Sequence, residues 1–84
     1  MFKVNITSRA ERELKRLDRP VKNRMVSAIA ALAIDPRPVG CLKLKSEEGV
    51  WRVRVGDWQV GYQVDDSAKE VLVIRIAHRS EFYE

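Results

Sequence analysis

The run Trp51-Arg52-Val53-Arg54-Val55-Gly56-Asp57-Trp58-Gln59-Val60-Gly61-Tyr62 decides the fold. Apolar residues at 51, 53 and 55 alternate with Arg52 and Arg54, which is the period of a half-buried strand. Gly56-Asp57 reads as a two-residue hairpin loop with glycine first, as a type II′ turn requires. Trp58, Val60, Tyr62 and Val64 continue the apolar side. A two-residue loop fixes the register by counting: Val55 opposite Trp58, Arg54 opposite Gln59, Val53 opposite Val60 and Arg52 opposite Gly61. Arg52 and Arg54 therefore share a face with Gln59 and with a glycine, which leaves open space beside Arg52.

Upstream of the hairpin, Leu42 and Leu44 alternate with Lys43 and Lys45, a candidate neighbouring strand whose pairing is not fixed by the sequence. Ser46-Glu47-Glu48-Gly49 reads as a polar turn before Val50. Downstream, 65–69 is a second turn, and Val71 to Ala77 is apolar except at Arg75. That composition suits a central strand covered on much of both faces. At the other end, Phe2 to Ile6 alternates as a strand. Thr7-Ser8 offers a helix N-cap, and Ser8 with Glu11 fits a capping box. Ala10, Leu14 and Leu17 follow at helical spacing. Asp18 caps a second helix from about Arg19 to Ile34, with Pro20 in its first turn and Val21, Met25, Ala28, Ile29 and Leu32 as its buried stripe. Asp35-Pro36-Arg37-Pro38 stops it. The expected architecture is α+β: an N-terminal strand and a two-helix hairpin packed on a twisted, mainly antiparallel sheet of about four to five strands.

With 84 residues, the chain has room for one domain, residues 1–84. Cys41 is the sole cysteine, so no disulfide can form within the chain, which points to a reducing compartment. No apolar run approaches the roughly 20 residues of a membrane span, and Met1 to Val4 reads as a strand rather than a signal peptide. The cytoplasm is the expected location. One His and one Cys make no metal-ligand cluster, and Gly-rich phosphate loops are absent, so no metal or cofactor is expected.

The formal net charge is +4. Residues 1–42 hold nine Lys/Arg against four Asp/Glu, a balance of +5, while residues 43–84 hold seven against eight, a balance of −1. A site in the second half must rest on the placement of its arginines rather than on bulk charge. Two arginines two apart on a strand lie about 6.5–7 Å from each other, a spacing suited to successive phosphates of a nucleic-acid strand. Arginine also grips phosphate bidentately. A plain solvated strand face is the competing reading. At the C-terminus, Arg79 adds a guanidinium and Tyr83 an aromatic face for a base. RNA carries its own nucleophile, the 2′-hydroxyl, so cleavage needs a base, an acid for the leaving oxygen and positive charge on the transition state. Arginine stays protonated and serves only the last role, which leaves His78, Glu81 and Tyr83 for proton transfer. Arg12 and Arg16, on the basic first helix, could rest on RNA or simply solvate its outer face.

Trp51 to Trp58, Val60-Gly61-Tyr62 and Ala77-His78-Arg79 with Tyr83 resemble the RelE/ParE superfamily of toxins from bacterial type II toxin–antitoxin pairs. The likeness covers essentially the whole chain. It implies a fold like the small microbial ribonucleases, a cognate antitoxin partner, and a protein that enters the ribosomal A site, against 16S rRNA, and cuts mRNA there. In the RelE branch the resemblance implies catalytic roles for Arg52, Arg54, Arg79 and Tyr83, with His78 preceding Arg79. From their placement and charge, Lys43 and Lys45 on the neighbouring strand, Gln59 opposite Arg54, and Arg12 and Arg16 are the candidate RNA contacts. Gln59 departs from the pattern, since the family commonly has arginine there. Opposite Arg54, glutamine avoids like-charge repulsion but gives up a charge at the phosphate, an expected attenuation of cleavage. ParE-like poisoning of DNA gyrase is the alternative; that branch generally lacks the basic and tyrosine set. A domain that only binds antitoxin or RNA, with weak catalysis, is the third reading.

Overall fold

The structure is a computed structural model, and it describes residues 1–45 and 47–81. Strand β1 (Lys3–Ile6) leads into α1 (Ser8–Lys15) and α2 (Arg19–Ala31). Four strands follow, β2 (Leu42–Lys43), β3 (Val50–Val55), β4 (Trp58–Asp65) and β5 (Glu70–His78), then a short 3-10 helix, Arg79–Glu81. They form one five-stranded sheet in the order β1-β5-β4-β3-β2. Every pairing is antiparallel except β1 with β5, which is parallel. The mixed α+β architecture expected from the sequence is present.

Alternation along the strands divides the sheet into two faces. Val4, Ile6, Val53, Val60, Tyr62, Val71, Val73 and Ile76 face the helices and join Ala10, Leu17, Met25 and Leu32 in the core. Burying such side chains contributes roughly 1.5–3 kcal/mol each, which is why the strands turn mostly apolar residues to the helices. The other face carries the polar residues of the same strands.

Three local expectations change. The N-cap of α1 is Thr7, whose Oγ1 accepts from the Ala10 N–H at 3.1 Å; Ser8 is the first helical residue. Glu11 has no capping role and instead faces Lys15 one turn on. Second, α2 ends at Ala31 rather than near Ile34, because Pro36 disfavours helix before it and Leu32 to Ile34 tighten into turns. Third, β2 is only two residues long, so Lys45 lies beyond it.

Gly56 has φ +64° and is the turn's first central residue, as the sequence requires. An added Cβ would meet only the tip of the Arg24 guanidinium from α2, the flexible end of an exposed side chain that can move aside, so the positive φ is what favours glycine here. At the opposite end of the sheet, Tyr62 donates its hydroxyl to the Pro36 carbonyl at 2.7 Å. Burial first, and then the neighbouring Cys41, push the Tyr62 phenol well above its usual range. Arg37 forks onto Asp66 at 3.1 and 2.8 Å and lies 5.1 Å over the Trp51 ring. That contact ties the loop after α2 to the β4–β5 turn. Among the described residues, no helix is long and apolar enough to cross a membrane.

Candidate RNA-binding face

The β3–β4 register is the one counted from the hairpin: Arg54 opposite Gln59 and Arg52 opposite Gly61. Strand β5 extends both rows. Arg75 lies opposite Gly61 from the other side, and Ala77 opposite Gln59. The face away from the helices thus presents Arg52–Gly61–Arg75 and, beside it, Arg54–Gln59–Ala77. Strand spacing sets the Cα atoms of Arg52 and Arg75 about 10 Å apart, with a residue lacking a side chain between them.

Arg75 was not among the residues singled out from sequence. The signal was its isolation as the one charged residue between Val71 and Ala77. Counting could not place it, because a β-bulge shifts the β4–β5 register between Gly61 and Tyr62. The expected open space at Gly61 is also revised. Gly61 is buried, and Arg52 and Arg75 beside it are half-buried, whereas Arg54 is exposed.

Gln59 is only 6% exposed, and its buried Oε1 has no hydrogen-bond donor among the described residues. It is part of the floor of this face rather than a projecting side chain.

Arg79 lies at the hairpin end of the face. Its N–H donates to the Asp57 carbonyl at 2.8 Å, and its Nε is 3.8 Å from the Asp57 carboxylate. Both side chains are exposed, so this ion pair is weak and the guanidinium remains available. His78 is not brought to the arginines. It pairs with Trp58, on the helix-facing side, and meets that ring edge-on at 5.5 Å. Its Nδ1 accepts the Ser80 N–H at 3.3 Å and lies 2.9 Å from Ser80 Oγ, which places the proton of the neutral ring on Nε2. Its backbone N–H is bound by the Glu81 carboxylate.

Lys43 pairs with Trp51, and its Nζ sits 5.9 Å from that ring, so it belongs to the helix side at the sheet edge; Leu42 is the residue opposite Arg52. Arg12 on α1 and Arg16, its C-cap, are exposed on the helix side, away from the arginine rows. Arg16 borders a recess with Glu13, Leu17, Trp58, Ile76 and Glu81. Tyr83, the fourth residue of the expected set, lies outside the described residues, as does Ser46 of the expected turn.

This arrangement can hold two adjacent phosphates, or one phosphate from several sides, on a sheet face whose two arginine rows contain no carboxylate among the described residues. Comparison with known proteins agrees with the fold described above. Residues 4–83 match the family described as "ParE toxin of type II toxin-antitoxin system, parDE". The chain is 34% identical to Toxin RelE of Mycobacterium tuberculosis over 98% of its own length and 86% of that protein. Its backbone resembles that of the archaeal RelE–RelB complex from Pyrococcus horikoshii OT3, with TM-score 0.83 and 22% identity over 96% of this chain and 98% of that one. The intact E. coli RelBE toxin–antitoxin complex gives TM-score 0.79 and 20% identity over 93% and 96%. The chain is a toxin of the type II toxin–antitoxin class and belongs to the RelE/ParE superfamily.

Proposed function

We propose that this toxin is a ribosome-dependent endoribonuclease that cuts mRNA in the A site. The observation that carries the reading is the pairing of Arg52, Arg54 and Arg75 around Gly61 and Gln59 on one sheet face, with Arg79 at its end. In the proposed reaction the 2′-hydroxyl of one nucleotide loses its proton and attacks the adjacent phosphorus. The P–O5′ bond breaks, O5′ takes up a proton, and a 2′,3′-cyclic phosphate remains. The arginines neutralise the charge that builds on the phosphorane-like transition state, where each well-placed donor is worth about 10²–10³ in rate.

Proton transfer falls to the tail. Tyr83 is the candidate on grounds of family resemblance; Glu81, like His78, lies on the helix side, where its carboxylate accepts the His78 N–H. His78 is assigned instead to anchoring the tail against Trp58 and Ser80, because strand alternation turns it from the arginine face. Gln59 replaces a charge with a neutral amide, so cleavage is attenuated relative to an arginine at this position. A cognate antitoxin is proposed as the physiological partner, since the related archaeal and E. coli toxins are seen with RelB.

The matched family's description names a ParE toxin, so gyrase poisoning is the second reading. One comparison separates them. Incubation with mRNA alone, with mRNA on translating ribosomes, and with gyrase and supercoiled plasmid should give cuts only in the second mixture. Gyrase-dependent DNA breaks with intact mRNA would replace the nuclease reading.

A further inference from the structure

One step along the strands from the Arg52–Gly61–Arg75 row, the same face changes character. Asn5 on β1 is opposite Leu72 on β5, and Leu72 is opposite Gln63 on β4. Leu72 is exposed to 36%, an apolar side chain on the same face as the arginine rows. The exposed carboxamides of Asn5 and Gln63 flank it, and neither makes a hydrogen bond to a described residue. These three residues line a cleft of about 520 Å³, with Gly49, Asp65 and Glu70 also on its walls.

This chemistry does not suit a phosphate. Among the described residues that line the cleft none is cationic, and two carboxylates stand on its walls. It suits a flat, partly apolar group with hydrogen-bonding edges. Leu72 offers a floor for a ring, while each amide offers one donor pair and one acceptor, the groups by which Asn and Gln read base edges. The carboxylates of Asp65 and Glu70 accept but do not donate, so they favour exocyclic amino groups. The step from the arginine row is two residues plus the bulge, a separation that the phosphate and base of one nucleotide can bridge.

We propose that the Asn5–Leu72–Gln63 row is a nucleobase subsite that selects an amino-bearing base, adenine, cytosine or guanine, over uracil. It rests on the reading of the arginine rows as the phosphate site and adds a specificity element to it. An RNA strand bound this way runs across the sheet with its backbone on the arginines and one base turned onto Leu72.

The test is an NMR titration of the labelled full chain with AMP, CMP, GMP, UMP and ribose 5-phosphate. Side-chain amides of Asn5 and Gln63, Leu72 methyls and arginine Nε–H groups are followed together. The amino-bearing nucleotides should shift the Asn5, Gln63 and Leu72 signals at least threefold more than UMP. Ribose 5-phosphate should shift the arginine signals only. The Asn5→Ala/Gln63→Ala variant should abolish the difference between bases. Equal shifts by all four nucleotides, or shifts at the arginines alone, would overturn the base subsite and leave the phosphate site standing. Shifts at Asn5, Leu72 and Gln63 without any at the arginines would keep the subsite and remove the phosphate reading. No shift at the row with any nucleotide overturns the proposal, including the case in which only an antitoxin segment perturbs it.

Discussion

Arg52 and Arg75 lie on opposite sides of Gly61, on neighbouring rungs of one sheet face, although they are 23 positions apart in sequence. If both contact RNA phosphates, each contributes to the salt dependence of binding. Removing one phosphate contact from a single strand lowers the slope of log K against log salt by about 0.7. Arg52→Ala and Arg75→Ala should each flatten the slope by that amount in a titration with short single-stranded RNA. An unchanged slope for Arg75→Ala would make it a structural residue.

Under the proposed function, a substitution at position 59 trades cleavage against stability. Gln59→Arg restores a cation at the floor of the site and should raise ribosome-dependent mRNA cleavage in a purified translation system. The same change places like charges opposite each other at Arg54, costing about 0.2–1 kcal/mol, and inserts a guanidinium where glutamine is buried. The variant should therefore be more active and melt at lower temperature. Equal cleavage by both forms would show that position 59 does not limit the reaction.

The cap of α1 is a separate test of the local structure. Thr7→Ala removes the acceptor of the Ala10 N–H and should cost about 1 kcal/mol. For a chain of this size that is a fall of about 4–8 °C in Tm. Ser8→Ala should change Tm by far less. The reverse order would restore the Ser8–Glu11 capping box.

Tyr62 links the fold to alkaline pH. Its folded value is raised above the unfolded value near 10, so the folded chain keeps a proton that the unfolded chain releases. The contribution is complete below about pH 10 and is lost as pH rises beyond it. Urea unfolding between pH 8 and 11 should show a steeper loss in the parent than in Tyr62→Phe. At neutral pH the same variant should be less stable by about 1 kcal/mol, from the lost bond to Pro36.

The hairpin was legible because a two-residue loop with glycine first leaves one register, and that register is observed from Val55–Trp58 to Arg52–Gly61. The buried stripe of α2 was legible for a similar reason, since Met25 and Leu32 recur at helical spacing and are fully buried. Lys43 was not legible. Its strand has two residues and follows an irregular loop, so no pattern fixed which face it takes. Arg75 was hidden by the bulge at Gly61–Tyr62. The side taken by His78 was readable but missed: neighbours in a strand point to opposite faces, so an outward Arg75 turns His78 inward. The unpaired amide row of Asn5 and Gln63 depends on β1 lying parallel beside β5, a pairing across the whole chain that no local signal reveals.

Primer extension on an mRNA under translation tests the A-site endonuclease assignment most directly, with the parent chain and its Arg79→Ala variant compared at equal concentration. Stops at A-site codons with the parent, reduced about 10²-fold or more in the variant, are the expected result. Full-length extension products with both proteins, in a system where the parent still arrests growth, would contradict it.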